Sequence, residues 1–157
     1  MCTATYAEGV ARIKVSIDIA APVDRVWQVV EPVERHVDWM ADAESIDFVS
    51  DQRRGVGTSF LCRTKVGPIR LTDKMRITRW ETGRAMGVEH VGLVTGSGVF
   101  TLEALDASTT RFVWEEELIF PWWLGGPIGA FVGGKVVLGA IWRGNLRRLA
   151  ALCTAPS

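Results

Sequence analysis

Residues 12–19 alternate without a break. Ile13, Val15, Ile17 and Ile19 fall on one face, and Arg12, Lys14, Ser16 and Asp18 on the other. That is the period-two pattern of a half-buried strand. Ala20-Ala21-Pro22 interrupts it. A proline suits the first turn of a helix, and Asp24 just behind it complements the helix dipole. Val23, Val26, Trp27 and Val30 then recur at helical spacing until Pro32. A second short helix is expected over Val33–Met40, presenting His36, Val37, Trp39 and Met40.

From Ala43 to Phe120 the period returns to two. Ile46 and Phe48 open a strand, and Gly55 and Gly57 mark a turn. Phe60, Cys62, Thr64 and Val66 share one face of the next strand. After Gly67-Pro68, Ile69, Leu71, Asp73, Met75 and Ile77 share one face of another. Further strands are expected over Arg84–Val94, Ser97–Leu105 and Thr110–Phe120. Short strands separated by glycine-marked turns predict an antiparallel meander. The last segment differs. Between Leu118 and Trp142 the single charge is Lys135, and six glycines fall between Gly125 and Gly139. Beyond Trp142, Arg143, Arg147 and Arg148 interleave with Leu146, Leu149 and Leu152, the pattern of an amphipathic C-terminal helix. The apolar run is long enough to raise a membrane span. Pro121, Pro127, the glycines and the central Lys135 argue against one, since a charge there is costly in lipid. A helix lying over an apolar sheet is the expectation.

Composition narrows the picture. At 157 residues, 48% hydrophobic and 23% charged, the chain suits one globular domain rather than a disordered one. The expected division is a lead-in over 1–10, one domain over 11–153 and a tail over 154–157. Eighteen basic and eighteen acidic side chains cancel, which argues against a nucleic-acid partner, whose domains are usually clearly basic. Cys2, Cys62 and Cys153 are odd in number and widely spaced. They read as reduced thiols of a cytoplasmic protein. The residues from Met1 to Gly9 show neither a basic stretch nor an apolar one, so no secretory signal is expected.

The order of strand, two short helices, meander and long C-terminal helix carries a resemblance. So do Ile19-Ala20-Ala21-Pro22-Val23-Asp24-Arg25-Val26-Trp27, His36-Val37-Asp38-Trp39-Met40 and Gly55-Val56-Gly57. Thr110-Arg111-Phe112-Val113-Trp114 and Leu146-Arg147-Arg148-Leu149 complete the pattern. Over residues 11–153 the chain resembles the START / birch-pollen-allergen-like (SRPBCC) superfamily, in its polyketide cyclase/dehydrase and lipid-transport branch. The resemblance implies an α+β helix-grip fold: a curved antiparallel sheet of about seven strands around the long helix, with a cavity for an apolar ligand between them. It implies no universal catalytic motif, so fold alone does not assign function.

Strand parity proposes the cavity wall. Phe60, Cys62, Leu71, Asp73, Met75, Phe112, Trp114 and Glu116 point inward, with Trp39 beside them from the second short helix. On Arg84–Val94 both parities are apolar, and the hairpin decides. A two-residue Thr82-Gly83 loop, or a four-residue one, pairs Ile77 with Val88 and Met75 with His90, placing Val88 and His90 inside. A three-residue loop would place Glu89 there, because a one-residue slip flips the face. Glycine second in the loop favours the shorter form. Phe131, Lys135, Leu138 and Trp142 form one helical stripe toward the sheet. Lys135 either snorkels to the cavity mouth or meets an anionic ligand group or Glu116.

His90, Glu116 and Asp73 are the candidates for chemistry, since ionisable groups on an apolar wall mark functional sites more often than chance. They lack metal-ligand spacing on one element, no phosphate loop is present, and neither metal nor cofactor is expected. Trp122 and Trp123 either pack on the helix start or form a cavity lid that touches a membrane transiently, as Trp suits a half-wet interface. Nothing in the sequence selects an oligomeric state. The expected function is binding or carrying a small hydrophobic molecule, such as a lipid, quinone or aromatic polyketide. A polyketide cyclase/dehydratase using cavity acid–base groups is the alternative, and a protein-interaction module the second.

Overall fold

The computed structural model describes residues 10–120 and 136–156. Seven strands form one antiparallel sheet: β1 Val10–Ile19, β2 Ala43–Phe48, β3 Ser59–Val66, β4 Ile69–Glu81, β5 Ala85–Val91, β6 Thr95–Asp106 and β7 Thr109–Ile119. Their spatial order is β1-β7-β6-β5-β4-β3-β2. Every neighbour is a hairpin partner except β1, which crosses to pair with β7. Helix α1 spans Val23–Val30, a 3-10 helix spans Val33–Asp38, and α2 spans Gly139–Thr154. The curved sheet with α2 against it is a helix-grip fold.

The first strand sorts itself by period. Ile13, Val15 and Ile19 are buried. On the outer face Arg12 meets Glu117 at 2.9 Å, Lys14 meets Glu115 at 3.1 Å, and Arg111 grips Asp18 with two hydrogen bonds of 2.8 and 3.0 Å. Each charge on β1 is therefore answered on β7. Inside, Val26, Val30, Leu146 and Leu149 are almost fully buried between the helices and the sheet. Arg25 reaches from α1 to the carbonyls of Leu152 and Cys153, supplying donors to the open end of α2. Asn145, also wholly buried, accepts from the Ala41 N–H at 2.9 Å and donates to Asp42 at 2.7 Å. It ties α2 to the loop before β2.

Several boundaries differ from expectation. The second short helix is a tight 3-10 turn ending at Asp38, two residues before Met40. Strand β5 stops at Val91 instead of Val94, and β6 starts two residues early at Thr95. Regular α-helix begins only at Gly139, after a π-helical turn over 136–138.

The β4–β5 hairpin is the instructive correction. Its loop has three residues, Thr82 to Arg84, closed by Arg84 N–H donating to the Glu81 carbonyl at 2.9 Å, with Gly83 at φ 73°. By itself that loop would have turned Glu89 inward. A bulge between Ile77 and Arg79 adds one residue to β4 and cancels the slip. Met75 still pairs with His90 and Ile77 with Val88. Glu89 points outward and pairs with Arg76. The same bulge brings Trp80 to the inner face, where it packs edge-on against Trp27 at 5.5 Å.

Candidate functional site

Between the sheet and α2 lies a cavity of about 380 Å³. Its wall carries Phe60, Cys62, Leu71, Met75, Val88 and Trp114 from the strands, and Leu138 and Trp142 from the last helical segment. Asp73, His90 and Glu116 lie on the same wall. Trp142 stacks on Trp114 with ring centroids 4.4 Å apart and planes 12° from parallel, so the helix meets the sheet through aromatic faces. Most of the lining is apolar, His36 and Asp42 also reach it, and Asp73, His90 and Glu116 lie together on the sheet side.

Those three groups come together. His90 Nδ1 lies 3.3 Å from Asp73 Oδ2, and His90 Nε2 lies 3.6 Å from Glu116 Oε2. The first is within hydrogen-bonding range and the second is beyond it. Glu116 Oε1 accepts from the Trp114 indole N–H at 2.9 Å, and Asp73 Oδ1 accepts from the Val94 N–H at 3.4 Å. His90 Nε2 is buried without a hydrogen-bond partner among the described residues.

Glycine makes the cluster geometrically feasible. His90 on β5 and Glu116 on β7 are separated by β6, where the residues facing them are Gly96 and Gly98. A Cβ on Gly98 would sit 2.6 Å from Glu116 Cγ. One on Gly96, whose φ is 130°, would lie 1.9 Å from the Glu117 carbonyl oxygen. One on Gly92 would lie 2.9 Å from Asp73 Oδ1. With no side chain on the middle strand, an imidazole and a carboxylate two strands apart reach each other. The sequence signal was the Gly96-x-Gly98 spacing at the start of a strand, which puts both glycines on one face.

The electrostatics follow. Burial alone would lower the His90 pKa, but the hydrogen bond and charge of Asp73, and then Glu116, outweigh it and raise it to about 9. His90 is thus an imidazolium at neutral pH, donating from Nδ1 to Asp73. His36 is the opposite case. Fully buried, it donates from Nε2 to the Val30 carbonyl at 2.6 Å, and burial pushes its pKa down to about 4. Cys62 sits on the wall, but burial and then the charges of Asp42, Asp73 and Glu116 push its thiol up to about 12. It is no nucleophile at neutral pH.

Two expected wall residues lie behind the wall instead. Trp39 and Phe112 are completely buried, and their rings pack edge-on at 6.3 Å. Trp39 lies 5.9 Å from Phe100 and 6.1 Å from Trp114, ring centre to ring centre. It is roofed over by Phe100, an inward β6 side chain that lines the cavity and that parity reasoning left out. Met40, Ile46, Val94 and Phe120 also line the cavity. Met40, Val94 and Phe120 flank loops, where no period marks them, and Ile46 lies within β2 opposite Cys62. Phe131, Lys135, Trp122 and Trp123 lie outside the described residues. Among the described residues no group of three or more His, Cys, Asp or Glu side chains is arranged to hold a metal ion. No helix among them is long and apolar enough to cross a membrane.

Comparison with known proteins places this geometry. The family model described as polyketide cyclase / dehydrase and lipid transport matches residues 10–154. No curated protein matches the chain in sequence. Among solved structures, the Zhui aromatase/cyclase from a Streptomyces species is similar with a TM-score of 0.73 at 16% identity, over 92% of this chain and 93% of that one. TTHA0849 from Thermus thermophilus gives 0.75 at 15% identity, over 90% and 96%. The di-domain ARO/CYC StfQ from the steffimycin biosynthetic pathway gives 0.72 at 12% identity, over 92% of this chain and 51% of that one. At these identities the likeness is one of fold.

Proposed function

The chain belongs to the polyketide cyclase / dehydrase and lipid transport family, and from that premise we propose that it holds a small apolar ligand in the cavity between sheet and α2. The observation that carries this reading is a cavity of about 380 Å³ with a largely apolar wall on which Asp73, His90 and Glu116 come together. Apolar burial supplies the affinity, and a few convergent polar groups orient the ligand. A lipid, a quinone or an aromatic polyketide fits that description. The protein acts as a binder or carrier.

Native mass spectrometry of protein purified from cells, followed by organic extraction, tests it. A co-purifying apolar molecule, lost when Met75 or Val88 is enlarged to Trp, is the expected result. Protein that carries nothing and shows no thermal shift across a lipid and aromatic panel would remove the reading.

A second reading draws on the His90 cluster. An imidazolium flanked by two carboxylates in a largely apolar cavity is a proton donor beside a proton acceptor, the pairing that dehydration and aldol cyclisation need. The aromatase/cyclase names of two structural neighbours agree with it. In this reading His90 gives a proton to a carbonyl or departing hydroxyl, and Glu116 removes one from carbon. Turnover of a poly-ketone substrate that survives replacement of Cys62 but is lost in His90→Gln supports it. Unchanged turnover in His90→Gln refutes it.

A further inference from the structure

The unpaired groups on the cavity wall point to a more specific ligand chemistry. His90 Nε2 and Glu116 Oε2 face each other at 3.6 Å, too far apart to satisfy one another. Both side chains are more than nine-tenths buried, at 8% and 7% exposure. Nε2 has no hydrogen-bond partner among the described residues. The other atoms of the pair are committed, Nδ1 to Asp73 and Oε1 to the Trp114 indole. A donor and an acceptor are thus left over side by side, on the wall of an otherwise apolar cavity.

The charge of that wall is one-sided. Asp42, Asp73 and Glu116 line the cavity, and among the described residues no Lys or Arg does. Asp42 is turned to Asn145. His36 is held neutral against the Val30 carbonyl. Among the described residues, the one positive charge on that wall to answer three carboxylates is His90.

We propose that the gap between His90 Nε2 and Glu116 Oε2 receives a neutral hydroxyl, alcohol or phenol, of the apolar ligand, and that the cavity rejects ligands ending in a carboxylate. A hydroxyl oxygen at about 2.8 Å from each atom accepts from Nε2–H and donates to Oε2, which completes both groups with one atom. An ether or ketone oxygen accepts but cannot donate, and leaves Glu116 unsatisfied. A carboxylate accepts from His90 but sets a negative charge against Glu116 and Asp73 in a low dielectric, which is strongly unfavourable. The inference rests on the ligand-binding reading above and adds the class of polar group.

The test is a chain-matched series: decanol, decyl methyl ether and decanoate. Binding is read by calorimetry and by the fluorescence of Trp114 and Trp142, which line the cavity. Decanol is expected to bind about three- to tenfold more tightly than the ether, the value of one net hydrogen bond. At pH 8 decanoate is expected at least about tenfold weaker than decanol. In Glu116→Gln or Asp73→Asn that second ratio shrinks to within about threefold, since one of the repelling charges is gone. Equal binding of decanol and its ether would overturn the hydroxyl assignment, and equal binding of decanoate would overturn the charge argument. The wild-type comparisons need no variant to fold. If none of the three probes binds, the ligand-binding reading itself fails, and the inference with it.

Discussion

The cavity has two walls, and each holds one histidine. On the helical wall His36 sits in the 3-10 helix against the Val30 carbonyl. On the sheet wall His90 sits between Asp73 and Glu116. Both are buried, yet one is driven down to about 4 and the other up to about 9. Desolvation acts on both in the same direction. The difference is what each ring nitrogen finds: a neutral carbonyl dipole, which the uncharged ring satisfies, or two carboxylates, which only the charged ring satisfies. The helical wall is finished as a structure. The sheet wall keeps a surplus of charge and a buried Nε2 without a hydrogen-bond partner among the described residues.

The sharpest way to break this contrast is to remove the sheet-wall histidine. His90→Leu leaves Asp73 and Glu116 close together with no cation between them, and is expected to cost about 3–5 kcal/mol at neutral pH. Chemical denaturation at pH 7 and again at pH 9.5 measures it. The loss should shrink at the higher pH, where the wild-type ring has itself given up its proton, and an equal loss at both values would mean that the charge of His90 does not drive it.

The next effect is a pair of opposed pH flanks. His90 has a folded pKa above its ordinary 6.5, so its contribution is complete below 6.5 and disappears as pH rises through about 9. His36 has a folded pKa below 6.5, so its contribution is complete above 6.5 and disappears as pH falls toward about 4. Each shift amounts to roughly 3 kcal/mol. Stability should therefore peak near pH 6.5 as far as the two histidines decide it. His90→Leu should flatten the alkaline flank alone and His36→Leu the acid flank alone. Melts across pH 4 to 9 that lose the same flank in both variants would end the contrast.

At neutral pH His36→Leu itself is expected to cost about 1–3 kcal/mol, because the buried Val30 carbonyl loses its donor. This loss should shrink as pH falls toward about 4, where protonation of the wild-type ring removes its contribution. Gly98→Ala is expected to cost a similar 1–3 kcal/mol or so, since its methyl would overlap Glu116 Cγ. It should also separate Glu116 from His90, so that the His90 ring titrates lower by NMR. An unchanged His90 titration would mean that β6 does not set the spacing.

The smallest effect contrasts the two faces of β7. Glu115 and Glu117 are half-exposed and pair with Lys14 and Arg12, and their change to Gln is expected to cost less than about 0.5 kcal/mol each. Glu116→Gln should stand apart from both in ligand response. Three indistinguishable variants would place Glu116 outside the site.

Period two along the chain was enough to put Asp73 and Glu116 on the inner face. Residue alternation is a local property of extended backbone, and each strand carries it unaided. The same reasoning divided β1 and β7 into a buried face and a salt-bridged one. His90 was different, because its orientation depended on a three-residue loop and a compensating bulge between Ile77 and Arg79. Neither leaves a periodic trace. On β6 the Gly96-x-Gly98 spacing marks one face but does not show that side chains from the flanking strands meet across it. Trp39 looked like a wall residue by composition and lies behind Phe100 by packing. Alternation along one strand decides which side a residue faces, and so the fold and two of the three polar groups were legible. Whether Asp73, His90 and Glu116 meet depends on the separation of β4, β5 and β7 across a strand without side chains. Only the folded sheet sets that distance.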